Sequence, residues 1–333
     1  MRWSDMLTIK ENLLETIRGG NPDRFVNQYE YMELVMDPTV LEGLGFCPKG
    51  STSVNGWGVT IEYPDNVPGP FPNTSEDLVV IKDITRWRDY VKAPEVEFPE
   101  EAWKPFIEAA NKVDRTQKFV APFGAPGIFE KVHYLMGMEE AMISFYEEPE
   151  AMHELIDFLT DYEISAAKEV IKHLHPDALF HHDDWGSQIS SFLSPDMFEE
   201  FILPAYKKIY GFWKANGVQL IVHHSDSYAA NLVPAMIECG IDIWQGAIST
   251  NDLPSLIKQY GGKISFHGGI DNGKVDRTDW SREKVMEEVE KICTACGKLY
   301  FIPGATMGGP ESTYEGVYEA VTDAINEMSK RMF

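Results

Sequence analysis

Three features are scarce in this sequence: cysteine, basic charge and long apolar runs. Its 333 residues include 4 cysteines, which is too few for a disulfide framework. No stretch approaches about 18 consecutive apolar residues, the length that a transmembrane helix needs. The first residues also lack the apolar core of a secretory signal peptide. We therefore expect a cytoplasmic protein without a membrane span.

Basic charge is scarce relative to acidic charge. The chain has 29 Lys and Arg against 53 Asp and Glu, a formal net charge of −24. Neutralising the phosphates of a nucleic acid or an anionic membrane needs clustered basic residues, so neither is expected as a partner. A protein partner should present a less acidic or a basic face, and salt should then weaken the association.

The sequence does contain enough apolar residues for a large core, at 44% hydrophobic and 12% aromatic. From residue 118 onward, short β-branched or aromatic runs alternate with helical patterns. The clearest helical pattern covers 149–174, with i, i+3, i+4, i+7 spacing and Pro149 in its first turn. Predicted strands lie at 24–30, 118–123, 178–182, 219–223, 241–245, 263–267 and 299–302, and predicted helices at 149–174, 194–216, 228–238, 252–260, 281–296 and 313–331.

Repeated strand–helix units predict a parallel sheet, and seven or eight of them predict a closed (β/α)8 barrel. The run 78–82 is the candidate for an eighth strand. Residues 50–75 are polar and rich in Gly and Pro, which indicates an inserted hairpin after an N-terminal amphipathic helix. We expect 1–333 to form a single barrel domain. An open doubly wound sheet is the alternative, but no GxGxxG turn follows the first strand.

Polar and aromatic residues recur where the predicted strands end. A parallel barrel carries its site at the carboxyl ends of its strands, so these residues should meet there. They are, in chain order, Glu30 and Tyr31, Phe123, 181–186, 223–226, Trp244 and Gln245, 267–271, and 303–307.

Histidine and aspartate together suit zinc or another borderline divalent cation. Strand alternation places His182 and Asp184 on one face and His181 and Asp183 on the other, so only one pair can face the pocket. The residues alone leave that choice open.

Two further features have competing interpretations. Trp185 and Trp244 either pack in the core or form an apolar wall for a flat ligand. Cys293 and Cys296 form a lone CxxC at the carboxyl end of a helix capped by Gly297, where the helix dipole does not lower a thiol pKa. We interpret the CxxC pair as structural.

Five motifs together resemble the uroporphyrinogen decarboxylase superfamily. They are DDWG at 183–186, LSPDMF at 193–198 with Pro204, HSD at 224–226, IECGID at 237–242 and HGGID at 267–271. The resemblance covers most of the chain and implies a (β/α)8 TIM barrel of the uroporphyrinogen decarboxylase type with an N-terminal hairpin insertion. The superfamily includes both decarboxylases and corrinoid-dependent methyltransferases, so the resemblance to the superfamily does not by itself distinguish between these two activities.

Two departures from the superfamily patterns argue against decarboxylation and against thiol methylation. Decarboxylases of this type carry an Arg-rich N-terminal motif for substrate propionates, whereas 22–31 here contains one Arg. The thiol-methylating branch holds zinc through His-x-Cys and a distant Cys. This chain has 224–226 as His-Ser-Asp, and Gly304 and Ala305 where the distant Cys should fall. Histidine and carboxylate suit a harder oxygen substrate than sulfur ligands do.

The remaining resemblance is to the methyltransferase I component of anaerobic O-demethylases. It implies methyl transfer from a phenyl methyl ether to the Co(I) of a corrinoid protein. A Glu-x14-Glu-x20-His spacing described for some members occurs as Glu139, Glu154 and His175. Because the predicted helix 149–174 would hold Glu154 and His175 about 30 Å apart, we expect a family marker on scaffold helices and not a metal site.

The resemblance implies zinc as cofactor, with a methylated aromatic molecule and a corrinoid protein as partners, and it leaves a homodimer open. It favours His224 over His223 as the pocket-facing residue. A uroporphyrinogen decarboxylase-like enzyme, a methylcorrinoid:thiol methyltransferase and a non-catalytic binding barrel remain as alternatives. The predicted site residues are His224, Asp226 and His267 for the metal, His224, His182, Asp184 and Glu30 for catalysis, and Tyr31, Phe123, Trp185, Trp244 and Met307 for substrate binding.

Overall fold

The computed structural model describes residues 6–67, 69–306 and 309–333. The strands are β1 (Met32–Val35), β2 (Ser51–Val54), β3 (Thr60–Tyr63), β4 (Phe71–Pro72), β5 (Phe119–Gly124), β6 (Ala178–His182), β7 (Leu220–His224), β8 (Ile243–Ala247), β9 (Ser265–Ile270) and β10 (Phe301–Ala305). The α-helices are α1 (Ile9–Arg18), α2 (Pro38–Leu44), α3 (Glu100–Lys112), α4 (Ile128–Met136), α5 (Met138–Glu147), α6 (Pro149–Leu174), α7 (Pro195–Met197), α8 (Leu203–Ala215), α9 (Val233–Glu238), α10 (Leu253–Tyr260), α11 (Asn272–Val275), α12 (Arg282–Cys296) and α13 (Val317–Met332). A π-helical turn, Phe198–Ile202, joins α7 to α8.

Seven parallel strands form the main sheet, in the order β1-β5-β6-β7-β8-β9-β10. Helices connect successive strands, which gives the predicted (β/α)8-type architecture. Strands β2, β3 and β4 form a separate antiparallel sheet between β1 and β5 in the chain. The inserted hairpin is therefore confirmed, with a short third strand that the sequence pattern did not predict.

The first strand was predicted in the wrong place, and the predicted eighth strand is not formed. In the described part of the chain the main sheet has seven strands, and its end strands β1 and β10 do not pair with each other. Residues 24–30 are not a strand, because Gln28 adopts a left-handed conformation with φ 52° that interrupts an extended run. Its N–H instead donates to Pro303 O at 3.2 Å, so this segment bonds to β10 while β1 starts at Met32. The apolar run 78–82 is also not a strand, since the Ile81 N–H donates to Leu135 O at the end of α4.

Two layers of apolar residues form the core. One fills the barrel interior and is closed at its amino-terminal end by α1, whose Leu13 packs with residues such as Phe119, Leu220 and Ile302. The second lies between the sheet and the helices around it. The opposite, carboxyl-terminal end of the barrel is where polar side chains occur, as described below.

Helix α6 has the bounds that the sequence pattern predicts. Pro149 occupies its first turn, and the helix ends at His175 in a left-handed conformation. Glu154 lies on its exposed side and accepts a hydrogen bond from Arg88 Nη1 at 2.5 Å. A straight helix of 26 residues keeps Glu154 and His175 at about 30 Å separation, so the Glu-x14-Glu-x20-His residues belong to the scaffold.

The cysteine pair is buried within the same scaffold. Cys293 and Cys296 lie at the end of α12, with Gly297 as the C-cap, and burial raises the pKa of both thiols. This placement supports a structural role for the pair. Among the described residues, no helix is both long and apolar enough to cross a bilayer.

Candidate functional site

One layer of polar side chains crosses four neighbouring strands near their carboxyl ends. In the parallel register His182 lies beside His224, His224 beside Gln245, and Gln245 beside His267. Residues two positions earlier, such as Phe180 and Val222, belong to the barrel-interior core. Because side chains alternate along a strand, this polar layer faces the interior just above that core.

Three donor groups of this end of the barrel lie close enough to hold a metal ion. His182, Asp184 and His224 each offer one ligand atom, and these atoms lie within 4.8 Å of one another. The two imidazole rings stack at 4.4 Å between centroids with an interplanar angle of 21°. Two imidazole nitrogens and one carboxylate fit zinc or a similar divalent cation.

Both histidines of this group are oriented by a side chain behind them. His182 Nδ1 lies 2.9 Å from Glu130 Oε2, and His224 Nδ1 contacts Gln245 Oε1. A carboxylate or amide oxygen at Nδ1 places the proton there and leaves Nε2 as the nitrogen that can bind a ligand. A carboxylate behind a histidine in this way is a common arrangement at metal sites, so these contacts support the fit of a metal to the group.

Burial and neighbouring charges shift the pKa of all three members of the group. Burial alone would lower the pKa of His182, but the charge of Glu130 and the hydrogen bond to it raise that pKa to about 10. Burial, together with the charge of His182, lowers the pKa of His224 to about 3. Burial also raises the pKa of Asp184 to about 7, a shift that His182 opposes. At neutral pH His182 is therefore the cation of the site, and a metal ion would replace its Nε2 proton.

Glu130 reaches His182 because Asp183 fixes the start of α4. The N-cap residue Gly127 has no side chain to accept the first helical N–H groups. Asp183 accepts them instead, from Phe129 N at 3.0 Å and Glu130 N at 2.8 Å. Asp183 thus acts as a helix cap from a neighbouring strand and holds Glu130 in place.

The opposite face of β6 and β7 carries a second polar network, directed towards the helices. His181 Nδ1 lies 3.0 Å from Tyr210 Oη, which lies 2.7 Å from His223 Nδ1. Asp183 accepts from Tyr206 Oη at 2.5 Å and belongs to the same side. All of these side chains are buried, so we interpret the network as structural.

The structure therefore decides which pair, His182 with Asp184 or His181 with Asp183, faces the interior, and which of His223 and His224 does so. His182 and Asp184 share the interior with His224, while the pair His181 and Asp183 and the neighbouring His223 face the helices.

Two of the predicted metal ligands lie near the group but outside it. The Asp226 N–H donates to Asp184 Oδ1 at 3.0 Å, and burial raises the pKa of the Asp226 carboxyl to about 6. His267 Nδ1 lies 3.2 Å from Tyr31 Oη, deep in the barrel. Its Nε2 has no hydrogen-bond partner among the described residues and faces Gly304, where a Cβ would approach it to 2.7 Å.

Of the remaining predicted residues, Phe123 and Glu30 lie in different surroundings. Phe123 lies beside the group, with its ring 6.5 Å from that of His182. Glu30 precedes β1 and accepts a hydrogen bond from Asn27 N, which closes a turn. Met307 lies outside the described residues.

Both tryptophans belong to the core between sheet and helices. Trp185 stacks on His223 at 3.8 Å, and its Nε1 donates to Asp183 Oδ2. Trp244 is fully buried, and its Nε1 donates to Ser225 O at 3.0 Å. Trp244 lies on the face of β8 opposite to Gln245, and Trp185 follows β6 and packs in the same core. Both therefore match the core-packing alternative of the sequence analysis.

The sequence analysis gave no role to Glu130 or Gln245. Gln245 could have been assigned one, because it ends the predicted strand 241–245 and was already counted among the polar residues at strand ends. Glu130 lies in a helix, and no sequence pattern indicates which strand its carboxylate reaches. Only the contact with His182 identifies it.

We expect the Glu130→Gln substitution to weaken zinc binding by about 10- to 100-fold, the range seen when such orienting carboxylates are lost. The measurement is zinc affinity by competition with a chromophoric chelator. Glu139→Gln, in the exposed part of α5, is the matched control and should bind zinc as the wild type does. Equal affinity of both variants would show that Glu130 does not orient a metal ligand.

The fold and the polar layer define a (β/α)8-type barrel protein with its site at the carboxyl ends of the strands. The uroporphyrinogen decarboxylase (URO-D) family profile matches residues 51–328, and the chain belongs to that family. The family resemblance read from the sequence motifs is therefore confirmed.

Two solved structures are similar to the chain to different degrees. A methyltransferase from Methanosarcina mazei shares its fold, with a TM-score of 0.62 at 15% identity, over 97% of this chain and 99% of the other. A sugar phosphate isomerase/epimerase from Parabacteroides distasonis gives a TM-score of 0.36 at 10% identity, over 67% of this chain and 76% of the other. No curated protein sequence matches the chain.

Proposed function

We propose that this protein is a methyltransferase that moves a methyl group from a phenyl methyl ether to the Co(I) of a corrinoid protein. The observation that carries the proposal is the group of His182, Asp184 and His224 at the carboxyl end of the barrel, with Glu130 and Gln245 behind the two rings. Membership in the URO-D family and the fold shared with a protein named a methyltransferase support it.

The reaction needs help at the leaving oxygen. The O–CH3 bond of the ether breaks, the electron pair of Co(I) forms the new Co–CH3 bond, and cobalt becomes formally Co(III). The phenolate leaves with the bonding electron pair and takes up a proton. Since a phenolate leaves poorly, stabilising its developing negative charge is the task that the site must perform.

The residues of the group fit a divalent cation, which we propose to be zinc. When bound by His182, Asp184 and His224, it would supply Lewis-acid stabilisation of charge on the ether oxygen. Glu130 and Gln245 hold the imidazole rings in orientation, so that no reorganisation is needed during the reaction. Phe123, beside His182, offers an aromatic face for the ring of the substrate.

The same surroundings fit the other family activities less well. Substrate propionates would need basic side chains, but His182 interacts with the charges of Glu130, Asp184 and Asp226, and Arg24 is bound to Asp23 and Leu7 O. Thiol transfer through zinc favours sulfur ligands, whereas the metal-binding group here consists of imidazole and carboxylate.

The test is incubation of the purified protein with free cob(I)alamin and a panel of methoxyarenes, followed by the absorbance change of methylcobalamin. We expect methyl transfer from methoxyarenes that requires about one equivalent of zinc and is lost on chelation. Methylamine and methanethiol are included as rival donors, and preference for either would overturn the assigned substrate class. Binding of methoxyarenes without turnover would support a non-catalytic barrel.

The metal assignment is tested separately. Full activity of a chelated, metal-free protein would exclude the Lewis-acid role. His182 would then be the group that protonates the leaving oxygen, because it is the cation of the site.

A further inference from the structure

Three segments at one side of the barrel mouth carry no charged residue. Residues 185–195, 227–237 and 243–251 contain no Asp, Glu, Lys or Arg, although 25% of the chain is charged. The first two follow the neighbouring strands β6 and β7, and the third comprises β8 with the turn after it. Asp184, Asp196, Asp226 and Asp252 border these segments. The absence of charge is therefore localised in space and adjoins the group of His182, Asp184 and His224.

Hydrogen bonds join these three segments into one surface. The Tyr228 N–H donates to Ser187 O at 2.7 Å, and Thr250 Oγ1 donates to Gln188 O at 2.9 Å. Asn231 Nδ2 donates to Ser191 Oγ at 2.9 Å. The exposed residues of this surface, which we call the neutral rim, are Gln188, Ile189, Ser190, Ser194, Pro195, Asn231, Pro234, Ser249 and Thr250.

Ile189 is the most prominent member of the neutral rim, with 80% of its surface exposed. It lies at the tip of a tight turn closed by a bridge between Gly186 and Ser191. Gly186 packs so closely that a Cβ would lie 2.3 Å from Tyr228 O. An apolar side chain held outward on a pinned turn loses little conformational freedom on binding, as an interface anchor should.

We propose that the neutral rim is the docking surface for the corrinoid protein, an inference that rests on the proposed function. The acceptor cobalt must reach the carboxyl end of the barrel, so its carrier has to contact the mouth. Elsewhere the net charge of −24 repels acidic partners. The neutral rim has no charged member, although Ser249 Oγ donates to Asp271 Oδ2 at its border at 3.2 Å. A partner face of matching, neutral to apolar character can therefore pack on it with little desolvation of charge.

The charge total alone predicts an association that salt weakens, whereas the neutral rim predicts one that salt barely affects. Recognition through Ile189 and uncharged polar groups has no ion pairs to screen. We expect the KM for the corrinoid protein to change by less than about threefold between 50 and 500 mM salt.

The test compares two acceptors, free cob(I)alamin and the corrinoid protein purified from the source organism by its absorbance and methyl acceptance. Ile189→Asp should raise the KM for the corrinoid protein by at least about tenfold, with kcat and transfer to free cobalamin unchanged. Ser190→Glu is a second variant and should act in the same direction. Phe46→Asp is the control, because Phe46 is 84% exposed between α2 and β2 and should leave both acceptors unaffected.

The outcomes separate this proposal from the proposed function. Transfer to free cobalamin by all variants, with an unchanged KM of Ile189→Asp and Ser190→Glu for the corrinoid protein, would overturn the docking surface and leave the function standing. A wild-type protein that methylates neither acceptor would overturn the function and the docking surface with it. An equal rise in KM for Phe46→Asp would point to a general charge effect and also overturn the assignment.

Discussion

Replacing His224 with alanine is expected to lower methyl transfer to cobalamin by at least about 10³-fold and to remove the bound metal. His224 supplies one of the three donor groups of the candidate metal site. Under the proposed function, Lewis-acid stabilisation of the leaving oxygen would contribute several kcal/mol to the transition state, and each 1.36 kcal/mol changes the rate about tenfold. The measurements are the single-turnover rate of methylcobalamin formation and the zinc content of the purified variant.

His223→Ala is the matched control, since the neighbouring residue faces the helices. His223 bonds to Tyr210 and stacks on Trp185, so its loss should lower stability while leaving the zinc content intact. If His224→Ala retained stoichiometric zinc and normal activity while His223→Ala lost both, the assignment of the two faces would be reversed.

The Asp183→Ala substitution is expected to lower the free energy of unfolding by about 4 kcal/mol or more. Asp183 is fully buried and accepts four hydrogen bonds, from Phe129 N, Glu130 N, Trp185 Nε1 and Tyr206 Oη. Each buried donor left without a partner costs roughly 1–3 kcal/mol. Urea denaturation followed by tryptophan fluorescence measures the effect.

Asp184→Ala distinguishes the structural carboxylate from the functional one next to it. Asp184 is half-buried and is itself one of the three groups that could hold a metal ion, so we expect loss of zinc binding with a change in unfolding free energy below about 1 kcal/mol. Destabilisation by Asp184→Ala equal to that by Asp183→Ala would contradict the division of roles. A third variant, Asp183→Asn, keeps the side-chain volume and should be intermediate in stability.

Most of the barrel could be predicted because each of its units has a local pattern. Helix α6 and strand β6 have the predicted bounds, and strands β5, β7, β8, β9 and β10 start within two residues of them. Apolar periodicity and turn residues are properties of short segments, so they are visible in the sequence. The two errors, at 24–30 and 78–82, occur where hydrogen bonds to distant residues replace pairing in the sheet.

Of the residues predicted at the strand ends, the structure brings His182, Asp184 and His224 together, and these come from β6, the residues directly after it, and β7. Asp226 and His267 have the same residue types, yet their carboxyl and imidazole groups lie outside the group. Residue type and strand position do not specify which side chains converge within a few ångströms.

The sequence by itself determined the order of the main strands and helices from residue 149 onward, the inserted hairpin and the acidic charge, because these depend on composition and local periodicity. The tertiary structure decided which histidine of each adjacent pair faces the interior, because that depends on the register of β6 against β7. It also decided that Glu130 orients His182 and that three uncharged segments form one surface. Those contacts join residues far apart in the chain, and only the folded barrel brings them together.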